Sequence, residues 1–575
     1  MAKALEMGKS SATGSFHLLI GVAGSTVIMA IGTIVLAALL SPEGVGLYGM
    51  AMIPASIINF FRDWGVNSAL TQQIASLRAA GRDSEIHDVV YSGVIFEIIT
   101  GLVLALICFA VAEPIAYLLS PTDAANLTVY ISIMSISVFA GALLSAAGGI
   151  FVGFERMKLN SLTQILQSVV KTSFGPLLII LGFGVLGAIS AAVVSVVAGS
   201  VIAMLLVYFS LYKPLRKCKV GKCDVKQTLK PMLKYGLPLT VSSIAVGVLP
   251  QVFAFIMAIY AGKGDLLAGV KPGWMMGNYY ASTYFSVLLT FISFPIATAL
   301  FPVFAKLNPQ KEPELVKTVF ATSVKYTAFL LVPATMAIIT LASPLLNTIF
   351  PSSGNIFQSF FVIIAGSKYP YGPLFLAFSS MVNLLVLAGN ISLGTFQTGI
   401  GKTKQVMKQS ILSLAVGLPL AYFLVTYFYS IGGASFAVIG GIVGALVATT
   451  PNVAWGLYWS WKNYKVKADF GASAKIFASS ALASTAAFLF ISLFSLRIPF
   501  GIILVGGFVV FLVVYLVAAP LLGAVNQMDI DNFRTMFSGL GVVSKILNVP
   551  LLFMRKLCRS NFEKTALPDA NKVRS

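Results

Sequence analysis

Four charged side chains stand inside long apolar stretches of the sequence, and they are the first candidates for chemistry. They are Arg62, Asp63, Glu97 and Lys171. A charge at the centre of a bilayer is energetically costly, so such a side chain normally faces a bundle interior or a watery cavity. Arg62 and Lys171 predict a cationic cavity wall for an anionic ligand. Asp63 or Glu97 predicts a site for a coupling ion.

Amide side chains surround these charges at helical spacing. Three sets each lie on one helix face: Asn59, Asp63 and Asn67 step by four residues, Gln164, Gln167 and Lys171 by three and four, and Asn383, Asn390 and Gln397 by seven. We therefore predict that substrate contacts come from Arg62, Lys171, Gln164, Gln167, Asn390 and Gln397. The alternative is structural: Asp63 pairs with Arg62 or Lys171, Glu97 pairs with Lys171, and the amides form interhelical hydrogen bonds.

The elements that position these residues are apolar segments long enough to cross a bilayer. The chain is 58% hydrophobic and 10% charged, with a mean hydropathy of +0.91, whereas soluble domains carry about 25% charged residues. A bilayer needs roughly 20 apolar residues per helix, and its interior excludes irregular lipid-exposed backbone. The sequence predicts an all-α polytopic membrane protein with about fourteen helices, near 16–40, 46–70, 89–112, 126–152, 160–182, 185–209, 236–260, 277–302, 319–341, 372–398, 410–429, 432–460, 476–496 and 499–523.

The basic residues predict the orientation of these helices. With the N-terminus inside, 33 Lys and Arg fall in inner segments and four in outer loops. Cytoplasmic loops carry the excess of Lys and Arg, so both termini are predicted to be cytoplasmic in a multi-pass protein of the cell membrane. This basic face accounts for most of the net charge of +20. It indicates anionic membrane lipids as partners and gives no reason to invoke nucleic acid.

A weak internal repeat predicts two lobes. Gly153-Phe154-Glu155-Arg156-Met157-Lys158 corresponds to Gly399-Ile400-Gly401-Lys402-Thr403-Lys404, and Gly46-Leu47-Tyr48 to Gly277-Asn278-Tyr279. We predict two pseudo-symmetric six-helix lobes plus two appended helices. The bounds are 1–212 for the N-lobe, 213–235 for a basic cytosolic linker, 236–460 for the C-lobe, 476–523 for helices 13 and 14, and 524–575 for a cytosolic amphipathic and basic tail. Doubled bundles are a recurring plan of transporters.

Catalytic and metal chemistry finds little support in the sequence. His17 and His87 are the only histidines, and the four cysteines form no zinc pattern. Asp529-Ile530-Asp531 spells the Asp-x-Asp of metal-dependent glycosyltransferases, but acids at the start of a helix-like tail are typical of capping. We therefore predict no catalytic residue, no metal site and no cofactor.

Several segments resemble the polysaccharide flippases of the Wzx type, in the multidrug/oligosaccharidyl-lipid/polysaccharide exporter superfamily. The resemblance spans most of the first twelve helices. It is carried by Leu40 to Tyr48, Asp63 to Leu70, Gly153 to Lys158, Leu233 to Leu239, and Phe294 through Phe304. The segment Met276 to Ala281 departs from the family's usual pattern before helix 8. The tail beginning at Met528 resembles that of archaeal members.

The resemblance implies a flippase that carries a polyprenyl-phosphate- or pyrophosphate-linked oligosaccharide to the outer leaflet by alternating access. Its partners would be this lipid-linked glycan and the enzymes that assemble the glycan. Two alternatives stay open. One is a cation-coupled multidrug exporter of the same superfamily, which buried acids without cations would favour. The other is a membrane-embedded glycosyltransferase, which clustered outward acids or histidines would favour.

Overall fold

The computed structural model describes residues 2–62, 64–216, 224–356, 358–363, 366–495, 497–537 and 548–558. Every regular element in these ranges is a helix, and one isolated antiparallel bridge joins Pro351 to Ser367. The chain divides into two compact units. Unit 1 holds Met1–Val287 and Lys404–Asn452, and unit 2 holds Leu288–Thr403 and Val453–Ser575. The predicted all-α membrane architecture is confirmed, while the lobe bounds stay a prediction.

The helices follow one another with short connections. They are α1 (Ala2–Leu39), α2 (Pro42–Arg62), α3 (Val66–Ala79), α4 (Asp83–Ala110), α5 (Ala112–Leu119), α6 (Ala124–Gly153), α7 (Met157–Leu178), α8 (Gly184–Val207), α9 (Lys213–Arg216), α10 (Val225–Leu267), α11 (Trp274–Lys306), α12 (Pro313–Ile349), α13 (Gln358–Phe361), α14 (Gly372–Ser380), α15 (Asn390–Gly399), α16 (Thr403–Tyr464), α17 (Phe470–Phe494), α18 (Phe500–Leu521) and α19 (Gln527–Phe537). Short 3₁₀ turns cover Pro121–Asp123 and Met381–Ala388, and π turns cover Ile179–Phe183 and Tyr208–Tyr212. The segment 548–558 is also helical.

Ten helical segments of the described chain are long and apolar enough to cross a membrane, or eleven if the bent pair Gly372–Ala388 and Asn390–Gly399 counts as one. Two of the ten, Met157–Tyr212 and Thr403–Tyr464, have 56 and 62 residues. At 1.5 Å per residue they are about twice or more as long as a bilayer is thick. The predicted count of fourteen spans is not confirmed and stays a prediction.

Glycine breaks fold both long segments back on themselves. Gly182 has a φ of 94° between α7 and α8, and Gly433 has a φ of 71° within α16. The arms of α16 then pack antiparallel: Ser413 Oγ donates to the carbonyl of Ala448 at 2.6 Å, and a Cβ on Gly440 would lie 2.6 Å from the carbonyl oxygen of Leu424. Only glycine adopts such positive φ values without strain.

Large apolar side chains cover the outside of the helices rather than only their packed faces. On α4, Leu102, Leu106 and Phe109 are about half exposed, while Cys108 is buried. A water-soluble domain rarely exposes a contiguous apolar surface of this kind. The pattern fits helices whose outer surface meets lipid.

Two helix starts cross closely inside unit 1. A Cβ on Gly46 of α2 would overlap the carbonyl oxygen of Gly273, and one on Gly277 of α11 would overlap that of Pro42. Asp265 holds the α11 side of this crossing, because its carboxylate accepts a hydrogen bond from the backbone N–H of Met275 at 3.1 Å. The internal repeat relates these two contacts to each other. The offset that aligns Gly46 with Gly277 also aligns Pro42 with Gly273.

The two repeat motifs adopt the same turn. The backbone N–H of Arg156 donates to Phe151, five residues earlier, and that of Lys402 donates to Gln397. The residues just before them, Glu155 and Gly401, have positive φ values of 58° and 75°. The same helix C-cap also forms at Arg82 and Val270, which bond to Leu77 and Asp265, so the duplication stays a prediction.

The core of unit 2 takes in the end of the described chain. Ile530 and Phe533 of α19, together with Leu551 and Met554 of the 548–558 helix, are buried in one cluster with residues of α12, α17 and α18. The apolar face of the predicted amphipathic tail therefore packs on protein. The basic residues of the last stretch, 559–575, lie outside the described residues.

Two predicted helices are interrupted. The sequence predicts one helix over 46–70, but α2 ends at Arg62 and α3 begins at Val66. Gly65 between them has a φ of 75°, and a Cβ there would overlap the Cα of Gly236. The predicted helix 372–398 bends by 54° at Gly389. Close backbone approach at Gly65 and positive φ at both glycines are the physical reasons for these breaks.

Candidate functional site

A polar cavity of about 630 Å³ lies within unit 1, among α1, α3, α6 and α7. Its lining is rich in hydroxyl and amide side chains, and none of its lining residues in the described chain is charged: the polar ones include Ser25, Asn67, Ser145, Asn160, Gln164 and Gln167. This size is in the usual range for small-molecule sites. A cavity with so many uncharged polar groups suits a hydroxyl-rich ligand.

Helix α7 supplies the amides because the neighbouring side of this helix is fixed to α1. A Cβ on Gly21 of α1 would overlap Ser161, and one on Gly32 would overlap Thr172. The hydroxyl of Thr172 donates to the carbonyl of Ile28 at 3.0 Å. With Ser161 and Thr172 on the α1 side, helical spacing places Gln164 and Gln167 on the cavity side.

Helix α3 closes another side of the cavity through hydrogen bonds to α6. The side-chain amide of Asn67 donates to the hydroxyl of Ser145 at 2.5 Å. The hydroxyl of Thr71 donates to the carbonyl of Gly149 at 3.0 Å. Gly149 permits this approach, because a Cβ there would lie 2.9 Å from the carbonyl oxygen of Asn67.

Arg62 lies beside this cavity, at the end of α2. Its Nη1 donates to the side-chain oxygen of Asn59 at 2.8 Å, and its Nε lies 3.8 Å from Oε2 of Glu97 on α4. Its side chain is 11% exposed and that of Glu97 is fully buried. A Cβ on Gly141, which lines the cavity, would lie 2.9 Å from the same Nη1. The guanidinium group thus reaches from a buried acid to the cavity wall.

Lys171 continues the amide face of α7, one turn beyond Gln167. Its side chain is half-buried. Within the described residues it forms no ion pair, and Glu97 lies against Arg62 instead. The alternative that paired Glu97 with Lys171 is therefore wrong. Asp63 lies outside the described residues, so its predicted coupling role and its predicted pairs stay untested.

The second-unit candidates do not share this cavity. Asn390 is half-buried at the start of α15, directly after the bend at Gly389. Gln397 is buried, and its Nε2 donates to the carbonyl of Gly456 at 3.3 Å and the hydroxyl of Ser460 at 3.2 Å. Gln397 thus makes the interhelical hydrogen bonds that the sequence left open as the structural alternative.

Sequence reasoning missed part of the site. Asn160 and Ser145 line the cavity but were not among the predicted contacts. The signal for Asn160 was present, since it precedes Gln164 by four residues on the same face. Ser145 carried none, because its place follows from how α6 packs against α3.

An apolar groove of about 420 Å³ lies on another side of the break after α2. It is lined by Phe61 and Trp64, by Ile99 and Val103 of α4, and by side chains of α10 such as Val241. These five side chains are all between 42% and 56% exposed. Residues adjoining Arg62 and Glu97 in the chain thus line a surface suited to hydrocarbon.

The likeness to known proteins is broad. Stage V sporulation protein B of Bacillus subtilis (strain 168) is 26% identical over 434 residues, which cover 72% of this chain and 77% of that protein. Among solved structures, lipid II flippase MurJ in an inward closed conformation has a TM-score of 0.65 at 15% identity, covering 88% of this chain and 98% of that one. An inward-facing multidrug resistance MATE family transporter of the MOP superfamily has a TM-score of 0.60 at 19% identity, covering 79% and 99%.

At these identities the two structures show a shared fold. The family is shown by sequence: residues 11–308, more than half of the chain, match the family model described as polysaccharide biosynthesis protein. The match confirms the resemblance carried by the motifs between Leu40 and Phe304. The chain therefore belongs to the polysaccharide biosynthesis protein family.

Proposed function

We propose that the protein is a membrane flippase that moves a glycan linked to polyprenyl phosphate or pyrophosphate from the inner to the outer leaflet by alternating access. Membership of a polysaccharide biosynthesis family supports a glycan substrate. The shared fold with a lipid II flippase supports a lipid-linked one. The proposal places the protein in the cell membrane with both termini in the cytoplasm.

The observation that carries the proposal is the position of Arg62. Its guanidinium lies between the buried carboxylate of Glu97 and the uncharged polar cavity, at the wall formed by Gly141. Arginine binds phosphate through paired, charge-assisted hydrogen bonds. Lys171, on the same face of α7 as the cavity amides, supplies a second cation. The apolar groove beside the break after α2 offers a surface for the hydrocarbon part of the lipid. Its residue Phe61 directly precedes Arg62 in the sequence.

A coupling role for Glu97 follows from the shared arginine. If Arg62 turns towards a substrate phosphate, the buried carboxylate of Glu97 loses the attraction of this guanidinium group, and its negative charge becomes less favourable. A proton or a sodium ion taken up by Glu97 restores the balance. Substrate binding and ion uptake are then linked through one guanidinium group. Asp63 stays a second candidate for this role.

The remaining candidate substrate-binding residues have different roles in the proposal. Gln164 and Gln167 contact the transported molecule directly. Asn390 stands at the bend of the α14–α15 span, where a broken helix exposes backbone polar groups. Gln397 is tied to Gly456 and Ser460, so its proposed contact requires these bonds to open during the transport cycle.

A cation-coupled multidrug exporter is the second candidate, and the buried carboxylate of Glu97 favours it. The adjoining Arg62 weighs against it, because a cationic drug would meet a guanidinium beside the acid. For a glycosyltransferase, Asp529 is the residue to consider. Its carboxylate accepts from the backbone N–H of Asn526 at 2.9 Å and binds Lys325, so it serves as a helix cap and an ion-pair partner.

The test is flipping by the purified protein in proteoliposomes, with a fluorescent polyprenyl-pyrophosphate-linked disaccharide as the probe and a membrane-impermeant quencher as the readout. We expect Arg62→Ala to lower the flipping rate at least tenfold, since a charge-assisted hydrogen bond contributes about 1.5–3 kcal/mol. Arg62→Lys should retain part of the rate. The control is Arg497→Ala, at an exposed arginine, which should leave the rate unchanged.

Protein recovery and thermal unfolding of each variant accompany the flipping assay. A folded Arg62→Ala variant that flips the probe at the wild-type rate would show that Arg62 has no part in transport. Wild-type protein that moves a cationic dye but not the lipid-linked probe would favour the multidrug exporter.

A further inference from the structure

Three amides form a row along the cavity side of α7. Asn160, Gln164 and Gln167 all line the cavity, and their spacing of four and three residues keeps them on one helix face. Seven residues of helix extend about 10 Å. The row thus follows the length of α7 rather than marking one point on it.

These amides differ from most other polar groups of the cavity, whose hydrogen bonds are made within the protein. Asn67 donates to Ser145, and the hydroxyls of Ser25 and Thr26 donate to the carbonyl of Val22 at 2.9 Å and 2.7 Å. Within the part of the chain that the structure describes, the side-chain amides of the α7 row form no hydrogen bond to protein. Most of the unused side-chain hydrogen-bonding capacity of the cavity therefore lies on α7.

The chemistry of this capacity selects a class of ligand. Each amide offers two N–H donors and a carbonyl oxygen with two lone pairs. A saccharide hydroxyl is both donor and acceptor, and an acetamido group is the amide's own complement. With no charged side chain among the described lining residues, the cavity favours neutral groups over a phosphate or a carboxylate.

We propose that the α7 row is a saccharide subsite, which binds the neutral sugar units of the lipid-linked substrate while Arg62 binds its phosphate. The inference rests on the proposed function, because it takes a lipid-linked glycan as the ligand. Gly141 indicates the order of the parts: it lines the cavity, and a Cβ there would lie 2.9 Å from Nη1 of Arg62. The phosphate therefore lies at the Gly141 wall, and the sugars extend from it along Gln167, Gln164 and Asn160.

Comparison with buried Gln397 distinguishes the α7 row from amides that join helices. Its Nε2 bonds to two groups of a neighbouring helix, which is how a membrane protein uses an amide to join helices. Gln164 and Gln167 face space instead. The competing explanation is that they bind only water, and this predicts no preference for a glycosylated ligand.

The experiment compares two probes on the full chain in lipid nanodiscs: a polyprenyl pyrophosphate without sugar, and the same lipid carrying a di-N-acetylglucosamine. Binding is measured by titration. We expect wild-type protein to bind the glycosylated probe more tightly. Gln164→Ala/Gln167→Ala should weaken its binding about tenfold or more, because each lost hydrogen bond costs about 1 kcal/mol, and should leave the bare lipid unchanged.

Controls separate binding from folding. Gln164→Met/Gln167→Met keeps the side-chain volume and should reproduce the loss in a protein that unfolds at the wild-type temperature. Gln72→Ala removes an exposed amide of α3 outside this cavity and should change neither probe. Arg62→Gln should weaken both probes.

The outcomes separate the two proposals. If wild-type protein binds the bare lipid but gains nothing from the sugar, or if the double variants keep the gain, the saccharide subsite is wrong and the flippase proposal stands. If wild-type protein binds neither probe, the proposed function fails, and the subsite fails with it.

Discussion

Helix α4 of unit 1 and helix α12 of unit 2 each carry one buried or nearly buried charge, and the two charges are used differently. Glu97 of α4 lies 3.8 Å from Nε of Arg62, beside a polar cavity. Nζ of Lys325 on α12 lies 2.5 Å from Oδ2 of Asp529, within the packed tail. The first pair has the longer N–O distance and its arginine reaches a cavity wall, whereas the second pair joins α12 to the packed tail.

The surroundings explain this difference. Asp529 is held by a reciprocal cap, since the backbone N–H of Asn526 donates to its carboxylate at 2.9 Å and its own N–H donates to the Asn526 side chain at 2.8 Å. Phe533 then stacks on Phe329 with ring centroids 5.0 Å apart. Arg62 donates to Asn59 of its own helix at 2.8 Å, and it ends α2 just before the break. A charge pair at a helix break beside a cavity can change partners, while a pair in a packed core fixes structure.

The largest expected effect is the loss of stability when the Lys325–Asp529 pair is broken. Breaking a buried pair by removing one partner costs about 3–5 kcal/mol, so Lys325→Ala should lower the thermal unfolding temperature and the yield of folded protein markedly. The control is Lys317→Ala, whose partner Glu314 is 82% exposed; such surface pairs contribute about 0–1 kcal/mol. Equal, small losses in both variants would contradict the structural role of Lys325.

A cysteine reports whether the tail has detached in that variant. Burial, and then the charge of Asp529, raises the pKa of the Cys558 thiol above its ordinary value. Since the thiolate is the reactive form, maleimide labelling should be slow while the tail is packed. Lys325→Ala should speed labelling, because exposure brings the pKa back down and opens access. The variant Cys558→Ser removes this thiol and so identifies the part of the labelling that comes from Cys558.

Some of this contrast could be predicted from the sequence, and some could not. The cost of charge in a bilayer singles out Arg62 and Glu97, and helical spacing singles out Gln164 and Gln167. The same reasoning also selected Gln397, because a spacing pattern places an amide on a face without saying whether a helix or a cavity lies opposite.

What could not be predicted depends on contacts between distant residues. Lys325 and Asp529 are 204 residues apart, and nothing local to either marks the other. The break after Arg62 depends on Gly65 meeting Gly236, and a glycine in an apolar run carries no sign of such a contact. The motifs predicted the fold class and the family, but the pairing of the buried charges required coordinates.

Neutralising both members of each pair sharpens the comparison. Lys325→Met/Asp529→Asn keeps the reciprocal cap, because the side-chain oxygen of asparagine can still accept a hydrogen bond from the backbone N–H of Asn526. Replacing a buried ion pair by neutral groups is often neutral for stability. We expect this double variant to regain most of the stability and to flip the lipid-linked probe. Arg62→Gln/Glu97→Gln should be equally stable but should not flip it.

Thermal unfolding and proteoliposome flipping of the two double variants provide the measurement. If both pairs behaved alike, with flipping kept in both or lost in both at matched stability, the distinction between a functional and a structural pair would be wrong.

Glu97→Gln is expected to have the smallest effect on stability. Its effect on function should be selective for ion coupling. The new amide keeps the shape of the side chain, so the unfolding temperature should change little. It cannot take up a proton or bind sodium as a carboxylate does, so flipping should lose its response to an imposed proton or sodium gradient. The variant also removes the negative charge that competes with substrate for Arg62, so phosphate binding without a gradient should tighten.

The measurement is flipping in proteoliposomes with each gradient imposed separately, beside Glu113→Gln at an exposed acid as the control. Wild-type flipping that ignores both gradients would contradict any ion coupling, and a Glu97→Gln variant that keeps the wild-type response would assign the coupling to another residue, with Asp63 the next to test.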